Sequence, residues 1–449
     1  MKKELFPKII LMPLLLLITA TTSPAEQNQL SVDEDLALGT DVDRQRTFRP
    51  EAGSSSSDLF GTRGGYVHPY VSLSEAWSDN IFNTLKGTKE DFLTTFSPGL
   101  LLAYPGVKNM PANSFASSNN SPGGMLADRE RVDYFQRFQT SLLYQADLEK
   151  FADNTDADLT HHRVEGQMQL NLKGGITFDL AGQYKKSADS PSDAPKRSEY
   201  TSDLVDLAGY IELGAKMDLV LRANRFHLDY DQTANRNLDR SDQAYTARLQ
   251  YRIKDNTLAF AKYRLTEVDY DISTLTDKDI TDAGFGLKWD ITAKSTGTAE
   301  VGYGILSYPS STKDDDTDFS FRFLMAHQFT PKTSVNLSAT RRINESTVGG
   351  TNYILNHQAT MRYTQRFGSK LFANLDLSFS RDEYDQPITT SAGPIDRSDD
   401  TILVSPSIDY MLKDWFIISL AYSRANLDSN INAYDFTTNT LSFRLTGYL

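Results

Sequence analysis

From Tyr66 onward, apolar residues recur at every second position, and this alternation commits the chain to extended structure. The segment "QAYTARLQYRI" puts Tyr245, Ala247, Leu249, Tyr251 and Ile253 on one face, against Thr246, Arg248, Gln250 and Arg252. "DAGFGLKWDI" sets Phe285, Leu287, Trp289 and Ile291 against Lys288 and Asp290. "DFSFRFLMAHQF" sets Phe319, Phe321, Phe323 and Met325 against Ser320 and Arg322, and "KLFANLDLSF" sets Leu371, Leu375 and Leu377 against Asn374 and Asp376. A soluble β-sandwich also alternates, so periodicity alone leaves the environment open.

The connections decide it. Short breaks recur at Lys173-Gly174-Gly175, Gly214-Ala215-Lys216, Lys254-Asp255-Asn256, Thr292 to Ser295, Thr330 to Thr333, Gly368-Ser369-Lys370 and Lys413-Asp414. They are spaced about 40 residues apart, the length of two strands, one tight turn and one longer loop. Between them lie long polar loops such as "DQTANRNLDRSD", "YPSSTKDDDTD" and "DEYDQPITTSAGPIDRSDD". Short turns at one end and long loops at the other describe a transmembrane antiparallel outer-membrane β-barrel, with the turns periplasmic and the loops outside. The fold class is all-β, with about eighteen strands and sixteen as the lower bound. An even count places both ends of the barrel on the periplasmic side.

The physical requirement agrees. In hydrocarbon every backbone donor and acceptor needs a partner, so strands span only as a closed sheet. No stretch beyond the N-terminus is long and apolar enough for a membrane helix, and a strand that meets lipid at alternate residues gives a negative mean hydropathy. Trp77, Tyr104, Tyr184, Tyr263, Tyr308 and Tyr422 fall toward segment ends, as interfacial girdles require. A barrel of this size is too wide for its own side chains to fill. Arg248, Arg252, Lys288, Arg322, Asp376, Asp409 and Arg444 are therefore the expected lumen-facing residues, most simply as a solvated inner wall.

The domain boundaries follow. Lys2, Lys3 and Lys8 precede an apolar run and "TTSPAEQ", the pattern of a secretory signal peptide (1–25) cleaved after Ala25. Its removal deletes three Lys and one Glu and takes the formal charge from −13 to −15. Such an acidic chain is no nucleic-acid binder. Residues 26–64 lack periodicity and read as a flexible periplasmic lead-in, with the barrel over 65–449. Residues 106–131, "GVKNMPANSFASSNNSPGGMLADRER", lie on the short-turn side yet are long. This insert is either unstructured or a functional element, and its Asn, Ser, Pro and Gly favour the first.

Chemistry is not apparent. The six histidines form no metal-binding pattern, and neighbours His161 and His162 on a strand point to opposite faces. "DDD" at 314–316 reads as a solvated acidic run, no GxSxG occurs, and cysteine is absent. No catalytic, metal or cofactor site is expected, and the chain does not read as an enzyme.

"HPYVSLSEAWSDNIF", followed by "DFLTTFSPGLLLAY", resembles the start of a family of outer-membrane β-barrels (β-barrel porin type 2) found in exopolysaccharide and capsule loci. The marker positions are Pro69, Asp79, Asn80, Phe82, Ser97, Pro98 and Gly99. Asp79 and Asn80 read as a structural hinge at the end of the first strand, with Ile81 and Phe82 packed back on the rim. The resemblance implies an exit pore for a secreted polysaccharide, working with a periplasmic polysaccharide-export protein. Its other partners would be outer-membrane lipid and lipopolysaccharide, and the barrel assembly machinery acting on the last strand, "NTLSFRLTGYL". The alternatives are a general diffusion porin for small hydrophilic solutes and a plugged structural or adhesive barrel. A diffusion porin needs an inward constricting loop with opposed charges, and no loop announces itself as one.

Overall fold

A computed structural model describes residues 65–106, 117–129, 137–189, 197–272, 275–292, 294–309, 313–346, 351–390 and 393–448. The expected signal peptide and lead-in, residues 1–64, lie outside the described residues, as do 107–116 and 130–131 of the long insert and the five residues that follow it.

The strands are β1 (Val67–Ser78), β2 (Asp91–Tyr104), β3 (Phe138–Phe151), β4 (Leu159–Leu172), β5 (Ile176–Asp189), β6 (Ser198–Glu212), β7 (Met217–Tyr230), β8 (Arg240–Lys254), β9 (Thr257–Tyr270) and β10 (Lys278–Thr292). They continue as β11 (Ser295–Ser307), β12 (Asp316–Thr330), β13 (Thr333–Asn344), β14 (Ile354–Phe367), β15 (Leu371–Tyr384), β18 (Ser398–Lys413), β19 (Phe416–Ser429) and β20 (Phe436–Tyr448). Between β15 and β18 a small hairpin, β16 (Ile388–Thr390) and β17 (Gly393–Ile395), caps one outer loop. Eighteen strands form a single antiparallel sheet, each paired to its sequence neighbour. β1 pairs with β20 from Tyr70–Tyr448 to Ser78–Thr440 and closes the barrel, so the sheet has no free edge.

Alternation fixes which face meets lipid. Val71, Leu73, Val205, Leu207, Phe285, Val301, Phe319 and Phe443 project outward, and Phe285 is 71% exposed. An apolar belt of this extent is unstable in water and requires hydrocarbon around it. Tyr104, Tyr184, Tyr263 and Tyr422 stand exposed on the same outer surface. Tyr308 departs from the girdle expectation. It is 4% exposed and packs inside the outer end of the barrel, with Leu306 and Ile280.

Local chemistry explains the first two strands. The β2–β3 ladder runs over Leu93–Phe96 and resumes in the same register at Gly99, and Pro98, with no N–H, sits in the break. The Tyr70 side chain crosses Gly99, where an added Cβ would lie 2.1 Å from the ring, and its hydroxyl donates to Gln145 Oε1 at 2.7 Å. Pro69 pairs with Leu100 near the start of β1, and Ser97 lies buried on the inner face of β2.

At the other end of β1, Asp79 accepts from the Asn439 backbone N–H at 2.8 Å and from its side-chain amide at 2.6 Å. Asn80 donates to the Thr437 carbonyl at 3.1 Å and accepts from the Thr84 N–H at 3.0 Å. These two residues tie the first strand to the last at the outer end of the seam. Ile81 and Phe82 pack with Leu93, Phe151 and Ala157. We predict that Asp79→Ala removes about 1–2 kcal/mol of hydrogen bonding at this closure. Its β-barrel band in unheated gels should unfold at a lower temperature than that of the wild type.

Candidate functional site: a constriction inside the barrel

The wide lumen is occupied by part of the chain itself. The connection from β2 to β3 leaves the barrel at the short-turn end, and its described residues, 117–129, lie within the lumen. They form a compact hairpin in which Ser117 bridges Met125, Ser118 N donates to Gly124 O at 3.0 Å, and Ser121 Oγ donates to Met125 O at 2.6 Å. "SPGG" makes the bend, with Gly123 and Gly124 at φ of 77° and 71°, a region that favours glycine. Gly124 also lies flat on the wall, where a Cβ would come 2.2 Å from the Phe226 ring.

Polar anchors hold the hairpin along its length. At the outer end, Glu345 N donates to Asn120 O at 2.6 Å and Arg240 Nη2 donates to Asn119 O at 2.5 Å. Lower down, Gly123 N donates to Asp242 at 2.8 Å, Asn224 Nδ2 donates to Gly123 O at 2.6 Å, and Arg264 donates to Pro122 O at 2.9 Å. On the returning arm, Arg129 bonds Asp179 at 2.7 Å. Arg222 forks between Asp206 and the Arg129 carbonyl, both contacts being short.

The outer half of the hairpin has an apolar seat as well. Met125, 2% exposed, packs in a cluster with Phe226, Leu228, Val268, Tyr270, Ile280 and Leu306. These wall residues point inward from strands β7 to β11. The inner face is therefore not uniformly polar as alternation suggested: near the outer rim it carries a second apolar core, and the insert supplies part of it.

Beside the hairpin a cavity lies against β9 to β13. Lys262, Arg264, Arg322, Arg341 and Arg342 line it, opposed by Asp128, Asp282, Glu300 and Asp318. Gly284, Gly302 and Gly304 on the same wall contribute no side-chain bulk to it. Lys262 pairs closely with Glu300, and Arg341 bonds Asp318 at 2.6 and 2.9 Å. The β12–β13 ladder stops at Phe321–Arg341 although both strands continue outward, and Arg341 bridges the parting by donating also to Phe319 O. Burial disfavours ionisation of Asp128 on the hairpin, but Lys262, Arg222, Arg248 and Arg264 around it outweigh burial and hold its carboxyl well below the usual range. That carboxylate stays charged at any physiological pH.

The seven expected lumen residues all lie on the inward-facing parity, and two reach this constriction. Arg248 is buried over the Phe260 ring at 5.5 Å and belongs to the cationic surroundings of Asp128. Arg322 lines the cavity. Arg252 and Lys288 sit low on the wall, with Arg252 donating to Ala215 O at 3.3 Å. On the far wall, Asp376 lies 3.7 Å from Arg362. Asp409 accepts from Asn374 at 2.8 Å and Ser419 at 2.6 Å, and Arg444 stands opposite Ser74 and Ser419. Sequence reasoning missed Arg222, Lys262, Arg264, Asp282 and Glu300. It also missed Asp128 and Arg129, although "MLADRER" ends the polar insert with an apolar and charged run.

His161 and His162 face opposite sides, as adjacent strand residues must. His161 bonds Glu149 at 2.8 Å inside, and His162 stacks on Tyr144 outside. Among the described residues no cluster suited to a metal ion occurs.

A closed 18-stranded antiparallel barrel with an apolar outer belt, short turns at one end and a charged internal constriction defines an outer-membrane porin. Residues 124–447 match the model of the family described as "Putative beta-barrel porin 2", and the chain belongs to that family. The protein is thus an outer-membrane β-barrel embedded in membrane lipid, with the family and fold of channel proteins. The matched residues begin within the lumenal hairpin and leave out the 66–104 stretch that carried the resemblance. No curated protein matches the chain. Among solved structures it is similar to the outer membrane protein OpdK of Pseudomonas aeruginosa, at 11% identity and a TM-score of 0.45, covering 85% of this chain and 99% of that one. It is also similar to OccAB4 of Acinetobacter baumannii, at 11% identity and a TM-score of 0.44, covering 86% and 100%.

Proposed function

We propose that the protein is a diffusion channel for small hydrophilic solutes, narrowed from within by the connection between β2 and β3. The supporting observation is the hairpin 117–129, held against the wall by backbone and ionic anchors and facing a cavity of opposed charges. Opposed charges leave a strong transverse field and little net charge, which suits polar solutes and slows bulky ones. A hydrated polysaccharide needs an open bore, so the hairpin counts against the exopolysaccharide exit pore and its export-protein partner. Assembly would begin from the closing strand β20, whose Leu441 and Phe443 present an apolar outer face.

Liposome swelling tests the reading. Vesicles holding the purified protein should swell in monosaccharides and small amino acids but not in oligosaccharides of many units. Passage of long oligosaccharides at the rate of monosaccharides would overturn it, as would loss of surface polysaccharide on deleting the gene.

A further inference from the structure

We propose that the inner wall formed by β13, β14 and β15 carries a binding subsite for an uncharged polyhydroxylated solute, a monosaccharide or polyol, centred on Gln358. This rests on the reading that small hydrophilic solutes enter the lumen, and it names the class that would be held there. The register places Thr340, Gln358 and Ser380 in one row across three strands, and Ser338, Thr360 and Ser378 in the next. All six side chains are neutral and point inward. Thr340 also lines the charged cavity beside the hairpin, so the grid begins where that cavity ends.

The unmet hydrogen bonds of this grid specify its ligand. Gln358 is 4% exposed, yet both its Nε2 and its Oε1 lack a partner among the described residues. Ser378 Oγ on the neighbouring strand and Asn356 Oδ1 one step outward are likewise without partners. Buried groups in this state cost free energy, and that cost is relieved only by a ligand or water that matches them. The unpaired atoms include a donor and acceptors within one small area. A carboxylate only accepts and an ammonium only donates, whereas each hydroxyl does both.

Charged groups border the grid without entering it. Arg322 on β12 stands opposite Thr340, and Arg342 stands opposite Asn356 on β14. Arg362 lies 3.7 Å from Asp376 on the periplasmic side, and Asp382 accepts from Asn356 Nδ2 at 2.6 Å on the outer side. The cations of the adjoining cavity face carboxylates, as Lys262 does Glu300 and Arg341 does Asp318. The six side chains of the grid are themselves neutral, so hydrogen bonding is the recognition chemistry they offer, and comparison with an anion tests it against the bordering arginines.

The experiment measures ion current through the full chain in planar bilayers as glucose is added, with a polyethylene glycol of similar size as the control. Glucose should cause saturable current block that the polymer does not. Gln358→Leu should weaken the half-blocking concentration by roughly tenfold while leaving conductance in salt alone within about a factor of two. Ser378→Ala should weaken it less, and it serves if Gln358→Leu fails to assemble. Non-saturating block equal to that of the polymer would overturn the proposal, and so would block by acetate at lower concentration than glucose, or unchanged block in both variants. Saturation-transfer NMR on the detergent-solubilised protein separates this from the function above. Saturable glucose contact without vesicle swelling sinks the channel reading alone, whereas swelling without such contact sinks the subsite alone.

Discussion

Deleting residues 117–129 should raise single-channel conductance by roughly tenfold, because a barrel of eighteen strands without an internal segment has a wide aqueous lumen. The hairpin adds no strand to the 18-stranded sheet, so its loss leaves every rung of the wall ladder in place. The deletion does remove Met125 from its seat against Phe226, Leu228 and Val268, leaving apolar wall facing water. The variant should therefore conduct more and unfold at a lower temperature than the wild type. Planar-bilayer recording gives the first quantity and gel mobility after graded heating the second. Equal conductance would mean that the hairpin does not limit flow.

Arg222→Ala should unsettle the hairpin without removing it. The guanidinium bonds Asp206 and the Tyr210 hydroxyl on β6 and the Arg129 carbonyl on the hairpin, lies 4.0 Å from Asp128, and its side chain is 2% exposed. Truncation leaves the Asp206 carboxylate, buried on the wall with 0% side-chain exposure, with Arg129 at 3.9 Å in place of its close guanidinium. Breaking one side of such a pair costs about 3 kcal/mol. Arg129 keeps its contact to Asp179 at 2.7 Å, so the arm stays tethered but loses its central clamp. The expected result is current that flickers between the wild-type level and larger sub-states. Arg222→Lys should flicker less, since it restores the charge but not the forked geometry. Adding Asp206→Asn to Arg222→Ala should recover thermal stability and leave the flicker, because the stranded charge disappears while the clamp is still missing. A steady wild-type current in Arg222→Ala would show that the hairpin is held by its other anchors alone.

Much of the barrel was legible because lipid imposes a local rule. A strand in hydrocarbon must show an apolar side chain at every second position, so Phe285, Leu287 and Trp289 announce their face without reference to any distant residue. Loop-length asymmetry then set the orientation and strand count. The place of Asp79 and Asn80 at the end of the first strand was readable for a similar reason, although their partners, Thr437 and Asn439, were not. They come from the other end of the chain, and only closure brings them near.

The constriction was illegible because nothing local demands it. Its backbone lies against the wall through carbonyls and N–H groups, as at Asn119, Asn120, Pro122 and Gly123, which leave no side-chain signature. Its polar, glycine-containing composition reads equally well as an unstructured insert. Inward apolar residues such as Phe226 and Leu228 were hidden by the assumption that a lumen is polar, and Tyr308 was mistaken for a girdle residue on the same ground. Arg248 and Arg322 were found by parity alone. Their place beside the hairpin follows from where the hairpin sits.

The central claim is that residues 117–129 lie inside the lumen. Native cysteine is absent, so paired cysteines test this without background. Ser117 and Gln183 touch across the hairpin–wall interface. With both replaced, as Ser117→Cys and Gln183→Cys, a short bifunctional thiol reagent added to intact outer membranes should join them, giving a looped species of altered mobility after full denaturation. Each single variant should give none. Efficient labelling of both positions by a bulky thiol reagent, with no joined species, would contradict the claim.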